Sequence, residues 1–228
     1  MFDLNSVPIP DYTRKEDIAN SLTHAVGVPL CIAGGVVLLK NLVGIAPAKH
    51  IVGIVLYIVS TLIVFLGSAI YHGLRPGFAK KVARVLDHSN IFLMISGMLT
   101  AFSLADYAGS SAGVNTVIVI TAWSLSAVGI FLTFMDLKKF NTVQVIMYVI
   151  MGWSVLFCVR SVYQAGDDGR RLALAFLAGG ICITLGTVLY FIGKKKRYFH
   201  AVFHVFVLLG NIAIYIGTYN FNSAVYGF

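Results

Sequence analysis

Seven long apolar stretches restrict the fold of this chain more than any other feature of its sequence. A helix needs about 20 mostly apolar residues to cross the hydrocarbon core of a bilayer. Only 11% of the 228 residues are charged, whereas soluble domains carry roughly 25%. We therefore predict an all-α integral membrane protein, a seven-transmembrane helix bundle. The predicted spans are 21–44, 51–72, 88–106, 113–135, 141–163, 172–193 and 199–220.

The first span is interrupted by Gly27 and Pro29, which transmembrane helices tolerate when neighbouring groups satisfy the freed backbone. Before it, residues 1–20 are polar and lack the basic region and apolar run of a cleavable signal peptide. We interpret 1–20 as a cytoplasmic tail and 21–221 as one seven-transmembrane domain, without a soluble domain.

Basic residues predict the orientation of the bundle. Twelve of the 17 lysines and arginines fall on the N-terminal side of the predicted membrane: Arg14, Lys15, Arg75, Lys80, Lys81, Arg84, Lys138, Lys139 and the run Lys194–Arg197. The positive-inside rule then places the N-terminus in the cytoplasm and the C-terminus outside. We expect a multi-pass plasma-membrane protein, located in the inner membrane of a bacterium. Anionic headgroups beside these residues account for the net charge of +8, so no nucleic-acid partner is expected.

Five polar residues from three different spans are predicted to lie at one depth, near the cytoplasmic ends of those spans. They are Ser68, His72, Asp87, His200 and His204. Ionisable residues inside a membrane are costly and by default indicate a functional site. His24 falls at the same level. His50 is expected to be exposed on the opposite side and is excluded from the site.

The chemistry of these residues favours a metal. Histidines at i and i+4, such as His200 and His204, lie close enough to share one ion. Adding His72 gives a three-histidine site with an open fourth position, which is typical of catalytic zinc. A zinc-bound water has its pKa lowered towards ~7. Asp87 would then orient or deprotonate the water, and Ser68 would hydrogen-bond a ligand or the developing oxyanion.

Each ligand residue also has a simpler interpretation. His200 and His204 form an HxxxH pair, a pattern that also occurs where histidines hydrogen-bond their neighbours near a membrane surface. His72 follows Tyr71 and fits an interfacial position equally well.

The accompanying residues have alternatives too. Asp87 fits a helix N-cap, and Ser68, next to a glycine, fits close helix packing. His24 fits either an indirect role near the metal or an interfacial polar residue. His88 points about 100° away from Asp87 around the helix, so it is a possible neighbour of the site rather than a ligand.

Four segments of the sequence resemble the hemolysin III branch of the progestin and adipoQ receptor (PAQR) family. This family belongs, with the alkaline ceramidases, to the CREST group of proposed membrane hydrolases. The segments are EDIANSLTHAVG (16–27), GSAIYHGL (67–74), KVARVLDHSNIFLMISG (81–97) and YFHAVFHVFVLLGN (198–211).

The resemblance implies seven helices with a cytoplasmic N-terminus, and it matches His72, His200 and His204 to the family's zinc ligands. Ser68 and Asp87 match the family's polar companions. The chain departs from the family pattern at Ile214, where relatives commonly carry another histidine. It also reads MLTAF at 98–102, where relatives often have a Tyr-Thr-Pro type of sequence.

Two functions follow as hypotheses. The first is a zinc-dependent hydrolase of lipid amide or ester bonds that uses a zinc-activated water at the cytoplasmic side. The alternative is a zinc-stabilised sensor or regulator of membrane lipid homeostasis, without catalysis. A hemolytic pore ranks last, because no span carries the polar stripe expected of an aqueous channel.

Overall fold

The computed structural model describes residues 4–105, 112–193 and 196–228, and every regular element within them is a helix. A 3₁₀ turn, Leu4–Ser6, comes first. The α-helices that follow are α1 (Arg14–Ala25), α2 (Gly27–Leu42), α3 (Ala48–Gly73), α4 (Phe78–Ser103), α5 (Ala112–Trp153), α6 (Leu156–Gln164), α7 (Asp167–Ile192) and α8 (Phe199–Tyr226). The predicted end of the third span at residue 106 and the predicted cytoplasmic lysines Lys194 and Lys195 lie outside the described residues.

Six helical segments in the described part of the chain are long and apolar enough to cross a membrane. The sequence had suggested seven, and the difference arises where 113–135 and 141–163 fall in one segment, Gly113–Gln164, of 52 residues. A straight helix of that length would extend about 78 Å, against a hydrocarbon core of about 30 Å.

The long segment contains a break at Asp136, where the backbone leaves the helical region with φ −162° and ψ 95°. The Lys139 amide donates a hydrogen bond to Asp136 Oδ1 at 2.9 Å. This is the bond that an N-cap side chain accepts, so a new helical stretch begins at Asp136.

A helix boundary separates α1 from α2 at Val26. α1 begins with a capping box, in which the Glu16 amide donates to Thr13 Oγ1 and the Thr13 amide donates to Glu16 Oε2. Pro29 is the third residue of α2, where a missing N–H removes no bond within the helix. The predicted boundary between tail and domain, after residue 20, falls inside α1.

The helices pack as neighbouring pairs. α3 lies along α4, α7 lies along α8, and α1 lies against both α3 and α8. Gly27 permits the close approach of α2 to α3, because a Cβ there would lie 2.7 Å from the Phe65 ring. The apolar core includes Leu38, Ile54, Phe65, Met94, Phe102, Phe176, Val207 and Ile214.

The start of the third span differs from the prediction. α4 begins at Phe78, ten residues before the predicted start at 88, and Gly77 occupies its N-cap position. Asp87 therefore lies in the third turn of the helix, and the N-cap interpretation of Asp87 is wrong. Hydropathy missed these first turns because Lys80, Lys81 and Arg84 lower the local average.

His50 was expected to be exposed, and that expectation is wrong. Its side chain is 1% exposed, and its Nε2 lies 2.5 Å from Asn222 Oδ1. The Asn222 amide nitrogen donates to the Thr218 carbonyl, which leaves Oδ1 to accept from His50. This pair joins the start of α3 to the end of α8, far from His72.

Candidate metal centre

Three histidine side chains come together where α3 ends and α8 begins. His72 is the penultimate residue of α3, and His200 and His204 occupy the first two turns of α8. One ring nitrogen from each lies within 4.8 Å of the other two. His72 Nε2 and His200 Nε2 are 3.1 Å apart. The prediction that these three imidazoles lie together is confirmed.

Two contacts from α1 hold these helix ends in place. The Arg14 guanidinium donates to the Gly73 carbonyl at 3.1 Å, at the end of α3. The Tyr198 amide donates to Glu16 Oε1 at 3.2 Å. Tyr198 precedes α8 in the left-handed conformation, with φ 64°, so this bond stabilises an otherwise unfavourable turn. Both contacts tie α1 to the helix ends that carry the histidines.

Hydrogen bonds assign the protonation of two of the rings. His72 Nδ1 lies 3.2 Å from Asp17 Oδ1, and His204 Nδ1 lies 2.9 Å from the Asn20 carbonyl. A carboxylate and a carbonyl only accept hydrogen bonds, so each Nδ1 carries the proton. Nε2 of His72 and of His204 then carries the lone pair that can bind a metal, the arrangement that metal-binding histidines use, and His72 Nε2 lies 3.1 Å from His200 Nε2.

The donor set fits a transition metal. Zinc–imidazole bonds are about 2.0–2.1 Å, so two nitrogens on one tetrahedral zinc ion lie about 3.4 Å apart. The ligand nitrogens lie within 4.8 Å of one another, so the widest pair needs to close by at most about 1.4 Å. Three neutral imidazoles suit zinc, copper, iron or nickel better than magnesium or calcium. The residues present fit the metal that the resemblance implies.

Ser68 and Asp87 line a cavity that also reaches His200 and His204. Ser68 is 1% exposed and lies one turn before His72 on α3. Its hydroxyl faces the carboxylate of Asp87, which comes from α4. The structure therefore places these two groups in the same cavity as His200 and His204, and their role there stays a prediction.

The cavity itself is mostly apolar and has a volume of about 180 Å³. It extends from the histidines between α4, α5, α7 and α8. Met98, Leu99, Phe176 and Ile214 line its far part. A polar group at the histidine end and an apolar wall beyond it suit an amphipathic molecule.

His24 and His88 also border this cavity, without joining the three-nitrogen cluster. The His24 ring stacks on His204, with centroids 3.8 Å apart and an interplanar angle of 15°. Neither His24 nitrogen has a hydrogen-bond partner among the described residues. The His88 carbonyl accepts from the Tyr148 hydroxyl at 2.7 Å.

Four residues at the site were missed by the sequence reasoning: Tyr12, Asp17, Asn20 and Lys80. Asp17, Asn20 and His24 recur at i, i+3 and i+7, which places them on one face of α1. That spacing was the available signal, but only His24 was singled out. Nothing in the local sequence marked Lys80, which is 1% exposed.

Tyr12 covers the cluster from the N-terminal side. Its ring stacks on His200, with centroids 5.4 Å apart and an interplanar angle of 23°. Burial raises the pKa of the Tyr12 hydroxyl well above its usual value, so this group stays neutral. Nearby, the Arg84 guanidinium donates to the Pro8 carbonyl and ties the segment before α1 to α4.

The fold and site together define a multi-pass helical membrane protein with a cluster of three histidines, two of them buried, at the meeting point of two helix ends. A family model described as haemolysin-III related matches residues 12–215, a range that contains every site residue named above. The chain belongs to the haemolysin-III related family, as its sequence resemblance implied.

Two bacterial relatives are similar over almost their whole length. The chain is 34% identical over 204 residues to the hemolysin-3 homolog of Bacillus subtilis (strain 168), covering 90% of this chain and 93% of that protein. It is 30% identical over 201 residues to hemolysin-3 of Bacillus cereus, covering 88% and 89% respectively.

Proposed function

We propose that this protein is a zinc-dependent hydrolase of lipid amide or ester bonds. The observation that carries the proposal is the cluster of three imidazole nitrogens beside Ser68 and Asp87, at the polar end of an apolar cavity. His72, His200 and His204 would hold the ion. When bound, zinc supplies a Lewis acid that lowers the pKa of a coordinated water towards ~7.

The roles of the other residues follow from their positions. Asp87 is the carboxylate in the cavity and accepts a proton at its oxygen during attack on the carbonyl. Ser68 donates a hydrogen bond from its hydroxyl to the oxygen of the substrate or of the attacking water. The apolar wall of the cavity binds the hydrocarbon part of the lipid and excludes bulk water from the polar end.

The same proposal includes seven membrane spans, a cytoplasmic N-terminus and an external C-terminus in a bacterial inner membrane. The break at Asp136 supports the division of the segment Gly113–Gln164 into two spans. The basic residues at the predicted cytoplasmic ends support the orientation. Single cysteines introduced at residue 136 and at the C-terminus would test both. In intact cells, a membrane-impermeant thiol reagent should label the C-terminal cysteine and leave the cysteine at residue 136 unlabelled.

Metal content tests the first half of the proposal. We expect detergent-purified wild type to contain about one zinc ion per chain, and His204→Ala to contain almost none, because two imidazoles hold zinc poorly. His50→Gln is the matched control, since His50 is an equally buried histidine at the other end of α3. Equal, substoichiometric metal in wild type and His204→Ala would refute the metal site.

Turnover tests the second half. Wild type and Asp87→Asn would be compared on a panel of lipid amides and esters, with products measured by mass spectrometry. We expect Asp87→Asn to keep its metal and lose about 10²–10⁴-fold in rate, the usual contribution of a general base. If wild type hydrolyses no lipid in the panel, the hydrolase proposal fails.

A zinc-stabilised sensor of membrane lipids is the second candidate. It is favoured by the connectivity of the cluster, because its ligands come from α3 and α8 while their hydrogen-bond partners come from α1. An ion there would clamp three elements that are distant in sequence. A sensor would keep its cellular phenotype in the Asp87→Asn variant, whereas a hydrolase would lose it.

A further inference from the structure

Asp17 contacts both a candidate metal ligand and a buried lysine, one with each carboxylate oxygen. Oδ1 lies 3.2 Å from His72 Nδ1, and Oδ2 lies 2.5 Å from Lys80 Nζ. Asp17 is 6% exposed and Lys80 is 1% exposed. The Lys80 ammonium also donates to the Leu74 carbonyl at 3.1 Å, in the loop between α3 and α4.

Asp17 is the group that accepts a hydrogen bond from His72 Nδ1–H. The other side-chain atom near His72 Nδ1 is Asn20 Nδ2, at 3.5 Å. An amide nitrogen only donates, so it cannot accept a hydrogen bond from His72 Nδ1–H. Without the Asp17 oxygen, nothing in these contacts favours the form of His72 whose Nε2 lone pair faces His200 and His204.

Lys80 determines how Asp17 is oriented. A lysine is almost never fully buried unless its charge is paired, because removing an ammonium from water is costly. Here the ammonium contacts Oδ2 and so leaves Oδ1 for His72. Lys80 is not in contact with the three-nitrogen cluster itself, so any influence on a bound ion passes through Asp17.

We propose that Asp17 and Lys80 are a positioning pair for the metal centre. Asp17 holds His72 in the Nδ1–H form and fixes the direction of its ring, and Lys80 fixes which oxygen of Asp17 does so. This inference rests on the proposed metal site. It assigns the metal affinity of the protein partly to two residues that do not touch the ion.

The test is the zinc affinity of detergent-purified full-length variants, measured by competition with a chromophoric chelator. We expect Asp17→Asn to bind zinc about 10–100-fold more weakly than wild type, the usual effect of losing the partner of a metal-binding histidine. In this variant the asparagine oxygen faces Lys80, so the amide nitrogen faces His72 Nδ1. A donor at that position favours the His72 form with the proton on Nε2, which cannot bind the ion through Nε2. Asp17→Glu keeps a carboxylate and should recover part of the loss.

The double variant separates positioning from simple structural damage. In Asp17→Asn/Lys80→Met, no ammonium competes for the amide oxygen, so the oxygen is free to accept from His72. We expect the double variant to bind zinc more tightly than Asp17→Asn alone, although it has lost a further native residue. Lys80→Met alone should lower the thermal stability of the zinc-free protein and weaken zinc binding, but by less than Asp17→Asn does. In that variant Asp17 still accepts from His72, but nothing holds Oδ1 in that direction.

Asp168→Asn is the matched control, because Asp168 also pairs with a basic residue, Arg171, but lies on the exposed start of α7. Its zinc affinity should equal that of wild type. The inference is overturned if Asp17→Asn binds zinc as tightly as wild type, or if the double variant is no tighter than Asp17→Asn. If wild type itself binds no zinc, the proposed metal site fails instead, so the two failures are distinguishable.

Discussion

Two adjacent glycines on α7 should respond in opposite directions to the same substitution. A Cβ added at Gly179 would lie 2.5 Å from Ile214 Cγ1 and 2.7 Å from the Gly210 carbonyl oxygen. A Cβ added at Gly180 would meet no atom within 4 Å among the described residues, because Gly180 lines the cavity. The pair therefore tests whether α7 and α8 pack as closely as described.

The magnitude follows from two terms. Replacing a helical glycine by alanine favours the helix by about 1 kcal/mol, and this gain is the same at both positions. At Gly179 the backbone of α8 has to move, and overpacking of this kind costs about 1–3 kcal/mol. Because the helix term cancels in the comparison, Gly179→Ala should be less stable than Gly180→Ala by about 1–3 kcal/mol.

The measurement is the free energy of unfolding in mixed micelles with increasing SDS, followed by circular dichroism. We expect Gly180→Ala to equal or exceed wild type and Gly179→Ala to unfold at lower SDS. Equal stability of the two variants would contradict this prediction, because it would mean that no neighbour crowds Gly179.

Three further variants test other parts of the molecule. Thr13→Ala removes the capping box of α1 and should cost about 1 kcal/mol in the same unfolding assay; an unchanged midpoint would contradict this. Asn222→Leu leaves the His50 Nε2–H buried without its acceptor and should cost about 1–3 kcal/mol, which thermal unfolding would detect. Gly180→Leu places a side chain in the cavity, so zinc content should be retained while turnover of any lipid substrate falls by about tenfold or more. Undiminished turnover in that variant would show that substrate binds elsewhere.

The helical spans and the meeting of the histidines were predictable because both depend on regular spacing. A run of about 20 apolar residues identifies a span whatever its neighbours are. The four-residue spacing of His200 and His204 places them on one face of any helix. Once the ends of α3 and α8 are assigned to one side of the membrane, His72 falls at the same level.

The features that were mispredicted depend on contacts between distant residues. His50 is close to a loop and looks exposed in the sequence, but its partner Asn222 is 172 positions away. Lys80 lowers the hydropathy of the start of α4, although its charge is paired with Asp17, 63 positions away. Sequence averages cannot anticipate that a charged side chain is buried when its partner belongs to another helix.

The polar face of α1 explains why this short helix belongs to the bundle. Asp17, Asn20 and His24 are each no more than 6% exposed. Burying these polar side chains costs free energy that apolar side chains at the same positions would not cost. The side chains of all three contact a candidate metal ligand. The Asp17 carboxylate and Asn20 Nδ2 lie 3.2 Å and 3.5 Å from His72 Nδ1, and the His24 ring stacks on His204. The polar face of α1 is therefore buried because its side chains contact the histidine cluster. A bound ion would in turn stabilise the packing of α1 against α3 and α8.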